Sequence, residues 1–299
     1  MNKSLSAFGL PGRTRHRVAL IVAVALPISL MAAPATAQDP TPSPATAGEP
    51  ATVSDPAQVA LAQAKKNNKR VEIEALRSET ATYYANPDGK TLRAEVSTTP
   101  VRVQKDGIWQ PVDPTLVEKD GVIQPKAVTG DITLSAGGNT DLVKVTGDRG
   151  PASVAAPATL PKPQLKGNTA TYPDAYGPGT DLVITVTPSG FRQEIVIRQR
   201  PVKDLAFRIP VRLPKGLTFS TGKKPTLLDG RDKQIGELSA APMVDATAAN
   251  SPDTGKIGQA AVRVDGDTVV LSVPGGPGHH LPGHGRDGLG DLGRHRNRR

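Results

Sequence analysis

The chain has 299 residues, a net charge of +9 and no cysteine, which excludes disulfides and a cysteine-linked lipid anchor. Four of the positive charges lie in residues 1–37 and a net three in residues 275–299, so residues 38–274 carry only +2 and offer no basic face for nucleic acid. Residues 38–278 also lack histidine, which removes Ser-His-Asp and Cys-His catalysis and the usual Zn, Cu and Fe ligands from the body. No catalytic, cofactor-binding or metal-binding residue is therefore assigned, and no cofactor is expected.

Residues 1–37 read as a signal peptide. Lys3, Arg13, Arg15 and Arg17 form a basic segment, an apolar run follows from Val18 to about Ala33, and Ala35-Thr36-Ala37 supplies an A-x-A cleavage site. The run is shorter than a spanning helix needs and Pro27 interrupts it. The expectation is a secreted, extracellular protein cut near Ala37, with no stable membrane span afterwards.

Residues 38–56 are rich in Pro, Thr, Ala and Ser and are expected to be a disordered linker. Residues 57–78 contain no Gly or Pro and mix Val59, Ala60, Ala62, Val71, Ile73 and Leu76 with Lys, Gln and Glu. This spacing predicts one amphipathic helix capped by Asp55. Lys65, Lys66, Lys69 and Arg70 on it read as a solvated face.

Residues 79–150 read as β-hairpins. Asn86-Pro87-Asp88-Gly89 is a turn ahead of the alternating Leu92, Ala94 and Val96. Asp106-Gly107 and Asp120-Gly121 each separate apolar alternations, the strongest short hairpin signal because both turn positions need positive φ. Trp109, the only tryptophan, is expected to anchor a core rather than stack on a sugar. Residues 151–166 hold four prolines and predict a crossover or domain junction.

The clearest signal falls in residues 167–274, expected to be sandwich-like. Leu182, Ile184 and Val186 share one strand face, as do Phe191, Ile195 and Ile197 on the next strand. Thr187-Pro188-Ser189-Gly190 turns between them. Arg192, Glu194 and Arg198 point the other way, which makes Arg198 a replaceable solvent-facing charge. Further strands are predicted at 205–213, 217–219, 234–238, 260–264 and 268–273, with Asp265-Gly266 turning the last pair. The fold class is mainly β: one or more β-sandwich or open-barrel modules built from hairpins, with one N-terminal helix and disordered ends.

Alternation stops at Val273, and residues 275–299 crowd four His and five Arg among glycines. The expectation is a disordered tail, of frameshift or truncation origin, that leaves strand 268–273 as an unprotected edge. His279, His280, His284 and His295 there read as solvated side chains, and Leu281-Pro282-Gly283-His284-Gly285 lacks the Thr of a sortase signal. Gly222-Lys223 and Gly255-Lys256 lack the upstream Gly of a phosphate loop. Asp174, Asp181, Asp265 and Asp267 read as turn residues rather than Ca²⁺ ligands. Glu194 with Glu118 or Asp113 is the one carboxylate pairing that would suit glycoside hydrolysis.

Three stretches, residues 75–116 (ALRSETATYYANPDGK…), 167–201 (GNTATYPDAYGPGTDL…) and 262–274 (VRVDGDTVVLSVP), carry a further signal. Together they resemble the N-terminal region of large secreted actinobacterial proteins that carry DNRLRE, laminin-G-like or RHS-repeat domains further along. The resemblance spans roughly residues 57–274 and transfers no catalytic residue. It implies a cell-surface or wall-associated, non-catalytic structural or interaction module, with cell-wall or surface components as partners. The alternative is a carbohydrate-active enzyme or glycan-binding module that uses carboxylates.

Overall fold

The computed structural model describes residues 20–24, 55–147, 149–199, 201–221, 225–238, 241–244 and 257–275, with the backbone alone for 20–24 and 257. Most of the expected signal peptide and linker, the two Gly-Lys pairs and the tail beyond residue 275 lie outside the described residues.

Helix α1 (Pro56–Asn67) begins as expected: Asp55 Oδ1 accepts the Ala57 N–H at 3.0 Å, with Pro56 preset for the first turn. It is shorter than the expected 57–78. Asn68 takes a left-handed conformation (φ 48°, ψ 37°) and its N–H returns to the Ala64 and Lys65 carbonyls. Asparagine is the residue besides glycine that tolerates this stop. The apolar residues beyond it serve β2 (Val71–Glu72) and a 3-10 turn at Glu74–Leu76.

Strand β2 pairs with β3 (Ala81–Ala85), and β3 pairs with β4 (Leu92–Val96). Ala60, Leu61 and Ala64 of α1 pack on Ile73 and Ala85 in a small core of their own. The hairpin β5 (Arg102–Lys105) and β6 (Ile108–Pro111) is fastened alongside by Arg102, which donates to the Ser78 and Ala81 carbonyls and, at 2.6 Å, to Thr82 Oγ1. Trp109 is half-buried on this hairpin opposite Gln104 and belongs to neither core. The expected core anchor is therefore a hairpin residue, because the register sets it with exposed Gln104 on the face opposite buried Val103.

The larger body contains two antiparallel meanders. One runs through β7 (Asp113–Lys119), β8 (Val122–Ala127), β9 (Asp131–Ser135), β10 (Asp141–Gly147) and β11 (Gly150–Ala155). The other runs through β12 (Gln164–Lys166), β13 (Thr169–Tyr172), β14 (Thr180–Thr187) and β15 (Gly190–Ile197). Strand β16 (Leu205–Arg212) returns to pair with β11. A small sheet of β17 (Thr218–Phe219), β18 (Thr226–Leu228) and β19 (Gln234–Glu237) follows, then β20 (Ala241–Val244), β21 (Ile257–Asp265) and β22 (Thr268–Val273). With β1 (Leu20–Val24), the large sheet has the order β12-β13-β14-β15-β1-β20-β21-β22-β16-β11-β10-β9-β8-β7. It does not close into a barrel. Its ends approach where the Leu116 N–H of β7 meets the Gly167 carbonyl between β12 and β13 at 2.8 Å.

The mainly β, hairpin-built class is what the structure shows. The turns at Asp106-Gly107 (φ 51° and 80°) and Asp120-Gly121 (φ 52° and 76°) have positive φ at both positions, as their sequences require. At Asp265-Gly266 the loop is shifted by one residue: Asp265 pairs with Thr268, and Gly266 alone has positive φ.

Two expectations are corrected by long-range pairing. Residues 150–155 are strand β11 rather than a junction, and Ala152, Val154, Ala156 and Leu160 are buried. Strand β22 is not an edge: it pairs with β21 on one side and β16 on the other, and Val269 and Leu271 are fully buried. Both meanders contribute to one core, including Leu134, Leu142, Tyr172, Leu182, Ile184, Ile195, Ile209 and Leu271. Each such side chain contributes on the order of 1.5–3 kcal/mol when removed from water. Among the described residues no helix is long and apolar enough to cross a membrane.

Candidate functional site

The loop from β13 to β14, residues 173–179, carries a dense set of polar contacts. Asp174 sits at φ 54°; its carboxylate accepts the Gly179 N–H at 2.7 Å and pairs with Arg198. Its own N–H donates to Asp181 Oδ1 at 2.8 Å, and Arg198 Nη2 lies 3.2 Å from that same oxygen. The Arg198 backbone N–H also donates to the Gly179 carbonyl at 2.8 Å. The Gly179 N–H and then the Arg198 guanidinium hold the Asp174 carboxyl below the usual aspartate range. Arg198 is exposed, as strand alternation suggested, and it also clamps this loop. It supplies the positive partner for both Asp174, which is a turn residue as read, and Asp181, which instead belongs to strand β14.

Under the clamp the loop turns inward. Ala175 is buried, and Tyr176 packs edge-on against the Phe207 ring, with centroids 5.2 Å apart at 84°. The Tyr176 hydroxyl is shut off from solvent and has no hydrogen-bond partner among the described residues. Burial pushes its pKa up, and Gln193 nearby opposes that slightly. Gln193 is itself fully buried and lies within reach of that hydroxyl, but among the described residues neither its Nε2 nor its Oε1 makes a well-formed hydrogen bond. A buried amide of this kind is costly until something completes its hydrogen bonds.

Sequence reasoning missed Gln193, although the signal was present. Position 193 falls between Phe191 and Ile195 in the period of two that defines the buried face of β15. A glutamine on a core face is the departure to look for. Alongside it runs β1, in the register Leu20↔Ile197 to Val24↔Gln193.

The other predicted candidates are dispersed. Glu194 pairs with Arg192 at 3.3 Å, Glu118 with Lys162 at 3.8 Å and Asp113 with Lys126 at 3.5 Å, each with its own cation. Asp265 pairs with Arg208 at 3.0 Å and with Arg263 at 3.9 Å. Lys65, Lys66, Lys69 and Arg70 are exposed; Arg70 lies over the Tyr84 ring and bonds Glu95 at 3.3 Å. Among the described residues no three His, Asp or Glu side chains gather as a metal cluster. A cleft of 330 Å³ opens between β5 and the β8–β9 turn, edged by Lys105, Lys126 and Asp131.

The carboxyls of Glu72, Asp88, Asp113, Asp174 and Asp229 are all held below their ordinary values, mainly by hydrogen bonds to neighbouring side chains or backbone N–H groups. Such groups stay ionised near neutrality, the opposite of the raised carboxyl that serves as a general acid in glycoside hydrolysis. Comparison with models of known protein families, with curated proteins and with solved structures finds no match.

Proposed function

We propose that this chain is an exported structural or interaction module of a cell-surface or wall-associated protein type, acting through its surfaces rather than through bond-making chemistry. The observation that carries this reading is the state of its polar groups. Each carboxylate weighed for catalysis is tied to its own cation, while among the described residues the buried side-chain polar atoms without a well-formed hydrogen bond belong to Tyr176 and Gln193. The phenol and the neutral amide are sealed in the core, and neither is tuned to move a proton near neutral pH, so the surfaces are left as the means of action.

The test uses isolated cell walls. Purified protein should sediment with them in a saturable manner and release no reducing sugar on long incubation. Sugar release abolished by Glu194→Gln would replace this reading with the carbohydrate-active one. N-terminal sequencing of the secreted protein should begin near Gln38; an intact Met1 would overturn the export reading.

A further inference from the structure

The large sheet is continuous only because β1 joins its two parts. Strand β1 pairs antiparallel with β15 over five positions, Leu20↔Ile197 to Val24↔Gln193, and with β20 at Ile21↔Val244 and Val22↔Met243. No other strand lies between β15 and β20 in the sheet order. Both flanks reach the core: Ile195 and Met243 are fully buried and Ile197 is 4% exposed. Residues 20–24 also lie inside the segment read as a cleaved leader. A cut after Ala37 detaches β1 and leaves Gln193 to Ile197 with an unsatisfied ladder edge, facing β20 across a gap one strand wide. Such an edge is a template for an incoming strand.

We propose that the exported chain carries a strand-acceptor site between β15 and β20, filled by an extended apolar segment of a partner polypeptide running antiparallel to β15. This rests on the export reading. The present occupant, Leu-Ile-Val-Ala-Val, shows the chemistry the slot takes: a continuous apolar run paired along both edges. Gln193 adds a specificity element. Its amide is buried and, among the described residues, makes no well-formed hydrogen bond, and the register position opposite it is Val24, a residue type with no hydrogen-bonding side chain. Directly opposed residues of an antiparallel pair share a face. A partner strand with Ser, Thr, Asn or Gln at that position satisfies the amide.

The probe is a labelled synthetic peptide, Ala-Leu-Ile-Val-Ala-Val with lysines at both ends for solubility, together with a second version in which the last Val is Thr. Binding is measured to three proteins: the full chain, the full chain with Val22→Pro, and the chain beginning at Gln38. Proline removes a ladder N–H and is excluded from central strands, so Val22→Pro empties the slot without shortening the chain. Both opened forms should bind one peptide each and gain thermal stability, and the full chain should not. The Thr peptide should bind several-fold more tightly, and Gln193→Leu should erase that preference while keeping binding. If the Gln38 form does not fold alone, refolding with the peptide should rescue it. Absence of binding to the opened forms, equal binding to the full chain, or failure of rescue would overturn the proposal. The N-terminus of the secreted protein is read separately, so an uncleaved leader is told apart from a slot that does not exist.

Discussion

Tyr172 on β13 donates its hydroxyl hydrogen to the Ser135 carbonyl at the end of β9, 2.7 Å away, and so ties the two meanders together through the core. The ring is fully buried, and burial pushes the hydroxyl's pKa well above the ordinary value near 10. Tyr172→Phe keeps the packing and strands the carbonyl, so chemical denaturation should show a loss of about 1–2 kcal/mol. The pH dependence has a definite sign. A phenol whose folded pKa lies above its unfolded value contributes fully below about pH 10 and loses that contribution as pH rises further. Stability should therefore fall above about pH 10, with a shallower fall in Tyr172→Phe.

Neighbouring positions 197 and 198 should respond differently to the same substitution. Ile197→Asp places an unpaired carboxylate in the core and should cost about 3–5 kcal/mol by urea unfolding. Arg198→Asp removes the clamp and sets a third carboxylate beside Asp174 and Asp181, with an expected loss of about 1 kcal/mol that salt reduces. A wild-type midpoint for Arg198→Asp would show that the loop holds itself without the clamp.

Acid stability should report the same loop. The Asp174 carboxyl is held below its ordinary value, so its contribution is present above the unfolded pKa and is lost as pH falls through the folded one. Between about pH 4.5 and 2 the wild type should lose stability more steeply than Asp174→Asn, measured by thermal midpoints across that range. Parallel curves would assign the acid sensitivity to the other depressed carboxyls, Glu72, Asp88, Asp113 and Asp229.

Two glycines should resist replacement for reasons of space. A Cβ at Gly275 would overlap the Lys203 carbonyl, and the Gly275 N–H donates to Asp204 Oδ1 at 2.8 Å. Gly275 is thus packed against the β15–β16 connection, although the end of strand alternation had placed it in the tail. A Cβ at Gly137 would sit 2.9 Å from the backbone of Pro161 and Lys162, at φ +97°. Alanine at either site should cost about 1–3 kcal/mol in thermal or urea unfolding. A neutral Gly275→Ala would mean that the contact with Lys203 relaxes freely.

The residue pattern makes much of the candidate site legible, but not its meaning. Alternation over Leu182, Ile184 and Val186 and over Phe191, Ile195 and Ile197 marks the faces that are buried, and the same period places Gln193 on the second of them. What Gln193 meets depends on the 173–179 loop, which brings Tyr176 within its reach from a separate part of the chain. Arg198 looked like any exposed charge because its partners Asp174 and Asp181 reach it through chain reversal, not through strand spacing. Trp109 looked like a core residue because hydrophobicity is local, whereas which face of a hairpin becomes covered, here that of Val103, is not.

By itself the sequence determined what short-range sterics and hydrogen bonding control: the Asp55 cap, the Asp-Gly turns at 106–107 and 120–121, the period of two, and a body without Cys or His. Only the tertiary structure decided which strand lies beside which. It placed β22 between β21 and β16, made residues 150–155 a core strand, and set Leu20–Val24 between β15 and β20. The physical reason is that a strand's own residues specify its faces. Its edges are backbone N–H and C=O groups common to every strand, so the choice of neighbour rests on the combined burial and ladder bonding of segments far apart in the chain.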